Sequence, residues 1–169
     1  MRALINWKNK EMLKIGFGYD VHRLVKERPL VLGGVKIPFS KGLLGHSDAD
    51  VLTHAVIDAI LGALGKGDIG RHFPDSEPEY KGVDSLLLLK KVVNLAYNDQ
   101  YQVNNLDVTI VAQEPKLEGY LDEMESRLSI ILQVDSRVVN VKATTTEGLG
   151  FCGRGEGLAA YAVVTVRRI

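Results

Sequence analysis

The chain has 169 residues, 46% hydrophobic and 25% charged, a composition that excludes a disordered or fibrous chain and fits one compact domain. Its 21 basic and 21 acidic side chains cancel, so no general electrostatic pull towards nucleic acid or an anionic membrane is expected, and a phosphate ligand would need a local site. The single cysteine, Cys152, cannot close an internal bridge, which points to a reducing compartment, bacterial cytoplasm or plastid stroma.

No run reaches the roughly 20 apolar residues of a membrane span. The first eleven residues, MRALINWKNKE, carry basic charge but neither an apolar stretch of signal length nor a small-residue cleavage site. They are set apart as an N-terminal extension without assigned role, and residues 12–169 are read as one domain.

From Leu13 to Val21 the chain is apolar and β-compatible. A second run from Leu30 breaks at Gly33 and Gly34 before Val35 to Pro38, the pattern of a hairpin. Between Asp50 and Leu64, Val51, Leu52, Ala55, Val56, Ile60 and Leu64 recur at helical spacing, with Asp48 or Asp50 as the cap and Gly65 and Gly67 at the end. Arg71 to Tyr80, with Pro74 and Pro78, reads as a loop. Asp84 to Tyr97 is helical, Val103 to Ala112 alternates as a half-buried strand, and Leu117 to Gln133 is helical again. Val138 to Thr144 and Leu158 to Arg167 are strand-like, separated by a glycine-rich stretch. The order predicts an α/β (α+β) single-domain sandwich: a four-stranded mixed sheet plus a short hairpin, with helices on one sheet face.

Three of the four histidines, His22, His46 and His54, lie near aspartates in the first third of the chain. Asp20 and His22, two apart at the end of the first strand, point to one face. His54 falls one helical turn beyond Asp50, and His46 two turns before His54 if the helix begins early, so these groups are expected to share a face. One aspartate and two imidazoles leave a tetrahedral ion an open position, as catalytic zinc sites do, and the lack of thiolate or all-oxygen donor sets favours zinc or a similar borderline ion. A lone helix histidine is nonetheless often only a hydrogen-bonded core or surface residue. His72, in the charged loop, is expected to be solvated.

The segment VKATTTEGLGFCGRGEG places three threonines and Glu147 directly after a strand, then five glycines. Hydroxyls and unshielded amides suit an anion, Glu147 suits a hard divalent cation, and Lys116 and Arg154 add charge. Glycine-rich loops also serve turn geometry alone, and neither a Walker loop nor a dinucleotide fingerprint is present.

Taken in order, GFGYDVHRL, LGGVKIPFSKGLLGHSDADVLTHA, GDIGRHFPDSEPEYKG, DVTIVAQEPKL and VNVKATTTEGLGFCGRGEG resemble the signature blocks of the 2-C-methyl-D-erythritol 2,4-cyclodiphosphate synthase family, from about Lys14 to the end. The resemblance implies a CMP-releasing phosphorus–oxygen lyase of the non-mevalonate isoprenoid pathway. Its substrate would be 4-diphosphocytidyl-2-C-methyl-D-erythritol 2-phosphate. It further implies zinc on Asp20, His22 and His54, and magnesium or manganese on Glu147. His46 and Thr145 match positions that steady the transition state, and Ser47 a phosphate contact. Asp68, Ile69 and Gly70 match the block that meets the methylerythritol hydroxyls, with Phe73, Pro74, Asp75, Ser76 and Glu77 as the adjoining substrate loop. Ala112, Gln113, Glu114, Pro115, Lys116 and Leu117, with Thr144 and Thr146, match the cytidine pocket, and Phe151 and Arg154 further phosphate-side positions. Family members are homotrimers with active sites between subunits.

Three positions depart from the pattern: Glu77 stands where aspartate is common, Cys152 where threonine is, and Gly148 where a longer side chain often sits. Cys152 is expected to be a packed residue, not a nucleophile. Two other readings compete: a zinc phosphatase or nucleotide hydrolase that activates water, and a non-catalytic metal-stabilised trimer.

Overall fold

The computed structural model describes residues 13–169, so the extension assigned to residues 1–11, and Met12, lie outside the described residues. Strand β1 (Leu13–Lys26) runs five residues past the apolar stretch that announces it. It forms an antiparallel ladder with β7 (Gly157–Arg168) from Leu13↔Arg167 to Arg23↔Gly157. Beyond Arg23 its end pairs with a three-residue strand, β4 (Lys41–Leu43). The sheet therefore has five strands and not the four expected, in the order β4-β1-β7-β5-β6. A three-residue strand is too short to carry a period, which is why β4 escapes detection in the sequence. β5 (Tyr101–Val111) and β6 (Val139–Thr144) make the parallel pair, and the remaining ladders of the sheet are antiparallel.

The hairpin is as expected: β2 (Leu30–Leu32) and β3 (Val35–Ile37) are joined by Gly33 and Gly34, both at positive φ as a two-residue turn of this hand requires. Helix α1 (Val51–Leu64) is capped by Asp50, whose carboxylate accepts from the Thr53 amide, and stops at Gly65 in the left-handed conformation. Asp50 is fully buried and also accepts from the amides of Gly33 (2.9 Å) and Gly34 (2.7 Å), which ties the hairpin to the start of α1. Short α2 (Ile69–His72) and a 3₁₀ turn at Pro78–Tyr80 interrupt the stretch read as a loop. Helices α3 (Ser85–Asn98) and α4 (Leu121–Leu132) follow their predicted spans closely, and α5 (Gly150–Gly153) is a single turn in the glycine-rich segment.

Eleven of the fourteen α1 residues are buried, because α1 lies between the sheet and α3. Fully burying each of Leu52, Ile57, Ile60 and Leu61 contributes about 1.5–3 kcal/mol. The helices cover one face of the sheet, as expected. On the other face the alternate residues of β1 and β7 leave Ile15, Phe17, Tyr19, Tyr161 and Val163 exposed, with the Tyr19 and Tyr161 rings 4.9 Å apart. A contiguous apolar face of this kind on a folded chain marks an interaction surface. Among the described residues, no helix is long and apolar enough to cross a membrane.

Candidate active site

Strand alternation sends Asp20 and His22 to the same side of β1 as Gly16 and Gly18, the side on which α1 lies. Neither glycine has a side chain, so the strand backbone sits directly on α1. His54, in the first turn of α1, thereby meets the two strand residues. Asp20 Oδ2 lies 3.0 Å from His22 Nε2 and 3.0 Å from His54 Nδ1, and the two imidazole nitrogens are 3.1 Å apart. Three donors around one tetrahedral ion with bonds of about 2.0 Å would be spaced by about 3.3 Å. The triangle of donor atoms thus fits a small divalent ion, and among the described residues it is the one cluster of three such groups.

The electrostatics agree. Burial pushes the Asp20 carboxyl up, but hydrogen bonds and charge from His22 and His54 outweigh it and hold the group below the ordinary carboxylate range. Burial pulls His22 down, yet its bond to Asp20 brings the net shift upward. His22 Nδ1 donates to the Leu44 carbonyl at 2.8 Å, which leaves Nε2 to face the cluster.

The triad forms the floor of a cleft of about 420 Å³. His46 and Ser47 line one side; Ile69, Gly70, Phe73, Pro74, Asp75 and Ser76 line the other. His46 reaches the cleft by a different route from the one expected: α1 begins only at Val51, so His46 sits in the preceding loop and shares no helix face with His54. Among the described residues its Nε2 is buried without a hydrogen-bond partner. Ser47 turns its hydroxyl inward, 3.1 Å from His54 Nε2. Asp68 and Glu77 do not line the cleft; Asp68 caps α2. The loop is held over α3, where the Lys91 ammonium lies 5.2 Å from the Tyr80 ring centre and Phe73 packs edge-on to Tyr80. His72, expected to be solvated, is half-buried and hydrogen-bonded to the Lys66 carbonyl at 3.0 Å, because α2 folds it back against the end of α1.

A second cleft, of about 530 Å³, gathers Ala112, Gln113, Glu114, Pro115, Lys116 and Leu117 with Thr144 and Thr145. Thr146 does not line it; its hydroxyl donates to the Leu149 carbonyl. Lys116 pairs with Glu118 at 2.8 Å, both exposed. The two clefts of one chain share no lining residue. Glu147 lies outside the three-donor cluster, exposed and at positive φ, with Thr145 Oγ1 donating to its carboxylate at 2.9 Å. Arg154 borders a third hollow of about 300 Å³ and pairs with Glu156 at 2.7 Å, while Phe151 stays partly exposed on α5. Cys152 is buried and burial pushes its thiol up, as suits a packed residue.

Sequence reasoning missed Asp48 and Ser85 as members of this site. Of the two aspartates offered as the α1 cap, Asp50 takes that place, and Asp48 reaches across to Ser85 at the start of α3. It also missed Asp58, whose carboxylate holds the Ile69 amide at 2.7 Å and so anchors α2 beside the cleft. The charged i,i+4 spacing from His54 to Asp58 was the available signal.

A mixed α/β scaffold with an Asp-x-His strand and a helix imidazole converging beside a cleft defines a protein with a possible metal-binding site. The model of the YgbB family matches residues 13–167, and the chain belongs to that family. A 2-C-methyl-D-erythritol 2,4-cyclodiphosphate synthase of Geotalea uraniireducens is 60% identical over 156 residues, which are 92% of this chain and 99% of the relative. The synthase of Geobacillus kaustophilus is 59% identical, over 93% of this chain and 99% of its own. Among solved structures, the bifunctional IspDF of Campylobacter jejuni superposes with a TM-score of 0.91 at 42% identity, over 95% of this chain and 43% of that one. The CDP complex of IspF from Plasmodium falciparum gives 0.82 at 33% identity, over 95% and 99%.

Proposed function

We propose that this chain converts 4-diphosphocytidyl-2-C-methyl-D-erythritol 2-phosphate into 2-C-methyl-D-erythritol 2,4-cyclodiphosphate with release of CMP, the activity its relatives are named for. The observation that carries the reading is the donor triangle of Asp20, His22 and His54 at a cleft lined by Ile69, Gly70 and the FPDS segment. An oxygen of the 2-phosphate attacks the β-phosphorus, the bond from that phosphorus to the bridging oxygen breaks, and CMP leaves with that oxygen. No water enters the balance. A phosphate nucleophile is ionised near neutral pH, so no general base is required.

The residues present divide the work. Zinc at the triangle and magnesium or manganese at Glu147 would polarise phosphoryl oxygens and offset their charge. His46, with its unpartnered Nε2, donates to the charge that builds on the equatorial oxygens, and the Thr145 hydroxyl does so from the neighbouring cleft. Ser47 and Arg154 are phosphate contacts; Ile69, Gly70 and Phe73 to Ser76, which line the first cleft, hold the methylerythritol part. Ala112 to Leu117 with Thr144 form the cytidine pocket, where backbone groups read the base and Lys116 meets phosphate. The test is the product: incubation with substrate gives cyclic diphosphate and CMP in equal amounts. Free methylerythritol phosphates would overturn cyclisation in favour of hydrolysis.

We further propose a homotrimer in which the triad of one subunit and the cytidine pocket of the next complete each site, in the cytoplasm or a plastid stroma. The exposed apolar sheet face and the separation of the two clefts within one chain support this. Phe17→Glu places charge on that face. It is expected to yield monomers that keep zinc but bind CMP at least about tenfold more weakly. Sedimentation with parallel titration checks it; a monomer with full activity contradicts the shared site.

A further inference from the structure

His54 faces the donor triangle through Nδ1, so its other ring nitrogen points away, into a closed chain of polar groups. Ser85 Oγ lies 2.9 Å from Nε2, and the same hydroxyl is hydrogen-bonded to Asp48 Oδ1. Ser85 Oγ donates its proton to Asp48 Oδ1, so an oxygen lone pair is left towards the imidazole. Ser47 Oγ, 3.1 Å from Nε2, accepts from the Ala49 amide and lies 3.4 Å from Ser85 Oγ, so it can turn its proton to Ser85 and present a lone pair as well. Both hydroxyls then accept from His54 Nε2, so in a neutral imidazole that offers Nδ1 to a metal the proton sits on Nε2.

Asp48 is itself held in place. Oδ1 accepts from the Asp50 amide at 3.2 Å and Oδ2 from the Ser85 amide at 3.1 Å, and Ser85 is fully buried as the first residue of α3. His22 obtains its orientation differently, from the Leu44 backbone carbonyl, which no substitution of that residue's side chain removes. For His54 the orientation depends on two replaceable side chains.

We propose that Asp48 and Ser85 are positioning residues that fix the His54 proton on Nε2 and thereby present Nδ1 as the metal-binding atom, an assignment that rests on the metal reading above. Partners of this kind behind a ligating histidine change metal affinity by about 10–100-fold. Zinc affinity of the full-length protein, stripped and reloaded, is measured by chelator competition. Ser85→Ala is expected to weaken it by about 10-fold or more. Because Asp48 acts through Ser85, the double variant Asp48→Ala/Ser85→Ala should match Ser85→Ala within about twofold, whereas independent contributions would multiply.

A second readout separates positioning from a merely structural role at the α3 start. In zinc-loaded protein the His54 Nε2–H gives a proton resonance protected from exchange, and Asp48→Asn, which does not touch His54, shifts it. Asp84 still caps α3 in every variant, and Asp48→Asn, which leaves both serines in place, keeps the comparison open where Ser85→Ala fails to fold. A wild type that binds no zinc overturns the metal reading and this assignment together. Tight wild-type binding with unchanged affinity in the variants, or an unprotected Nε2–H, overturns this assignment alone.

Discussion

Asp20→Asn is expected to lose bound zinc and to lower cyclodiphosphate formation by at least about a thousandfold, with the fold retained. Asparagine keeps the shape of aspartate, so the packing of β1 on α1 survives. It removes the single negative charge from a triangle whose other corners are imidazoles, 3.0 Å away on either side. That charge is present in the native chain, because His22 and His54 hold the carboxyl ionised against the effect of burial. An ion lost from the site takes with it several kcal/mol of transition-state stabilisation, and about 4 kcal/mol corresponds to about 10³ in rate. Metal content and kcat/KM, measured on the same preparation, check it. Glu147→Gln, outside the triangle, should also lose turnover but keep its zinc. Near-native turnover in Asp20→Asn would remove the basis of the metal-assisted mechanism.

The elements were legible wherever a period or a stop signal was long enough to see. Gly33-Gly34 announced the hairpin, and the apolar spacing from Val51 with Gly65 at its end announced α1. The fifth strand was not legible, because Lys41–Leu43 is three residues long and pairs only with Leu24 to Lys26, beyond the apolar run that ends at Val21. Asp20 and His22 could be placed on one face by the two-residue period alone. Their meeting with His54 could not, since it depends on how closely α1 approaches β1. His46 shows the opposite case: its presence at the cleft was expected, but through a helix that does not extend that far. Asp48 and Ser85 stand 37 residues apart, joined by a side-chain hydrogen bond that no local pattern encodes. Ala112 to Leu117 and Thr144 line one cleft together, and it shares no residue with the cleft of the triad, a separation that no period or stop signal in the sequence encodes.

Gly18→Ala should be among the most damaging single-methyl changes in the chain. A β-carbon at Gly18 would lie 1.9 Å from the Ala55 carbonyl oxygen and 2.7 Å from the Ala59 amide nitrogen, and one at Gly16 would lie 1.8 Å from the Ala59 oxygen. These neighbours are α1 backbone, which cannot swing aside as a side-chain tip does. Ordinary contact begins at 3.4 Å, so β1 must retreat from α1 by about 1.5 Å, the difference between 3.4 and 1.9. In an unobstructed strand the same change would stabilise by roughly 0.5–1 kcal/mol, through the lost backbone freedom of glycine. Here the expected result has the opposite sign, a loss of at least about 3 kcal/mol in urea unfolding, because overpacking against a rigid helix dominates. The retreat also carries Asp20 and His22 away from His54, whose neighbour Ala55 supplies the obstructing oxygen. Zinc affinity should therefore fall together with stability, although no ligand has been changed. An alanine variant as stable as the native chain would mean that β1 and α1 are not in the close contact that brings the three donors together.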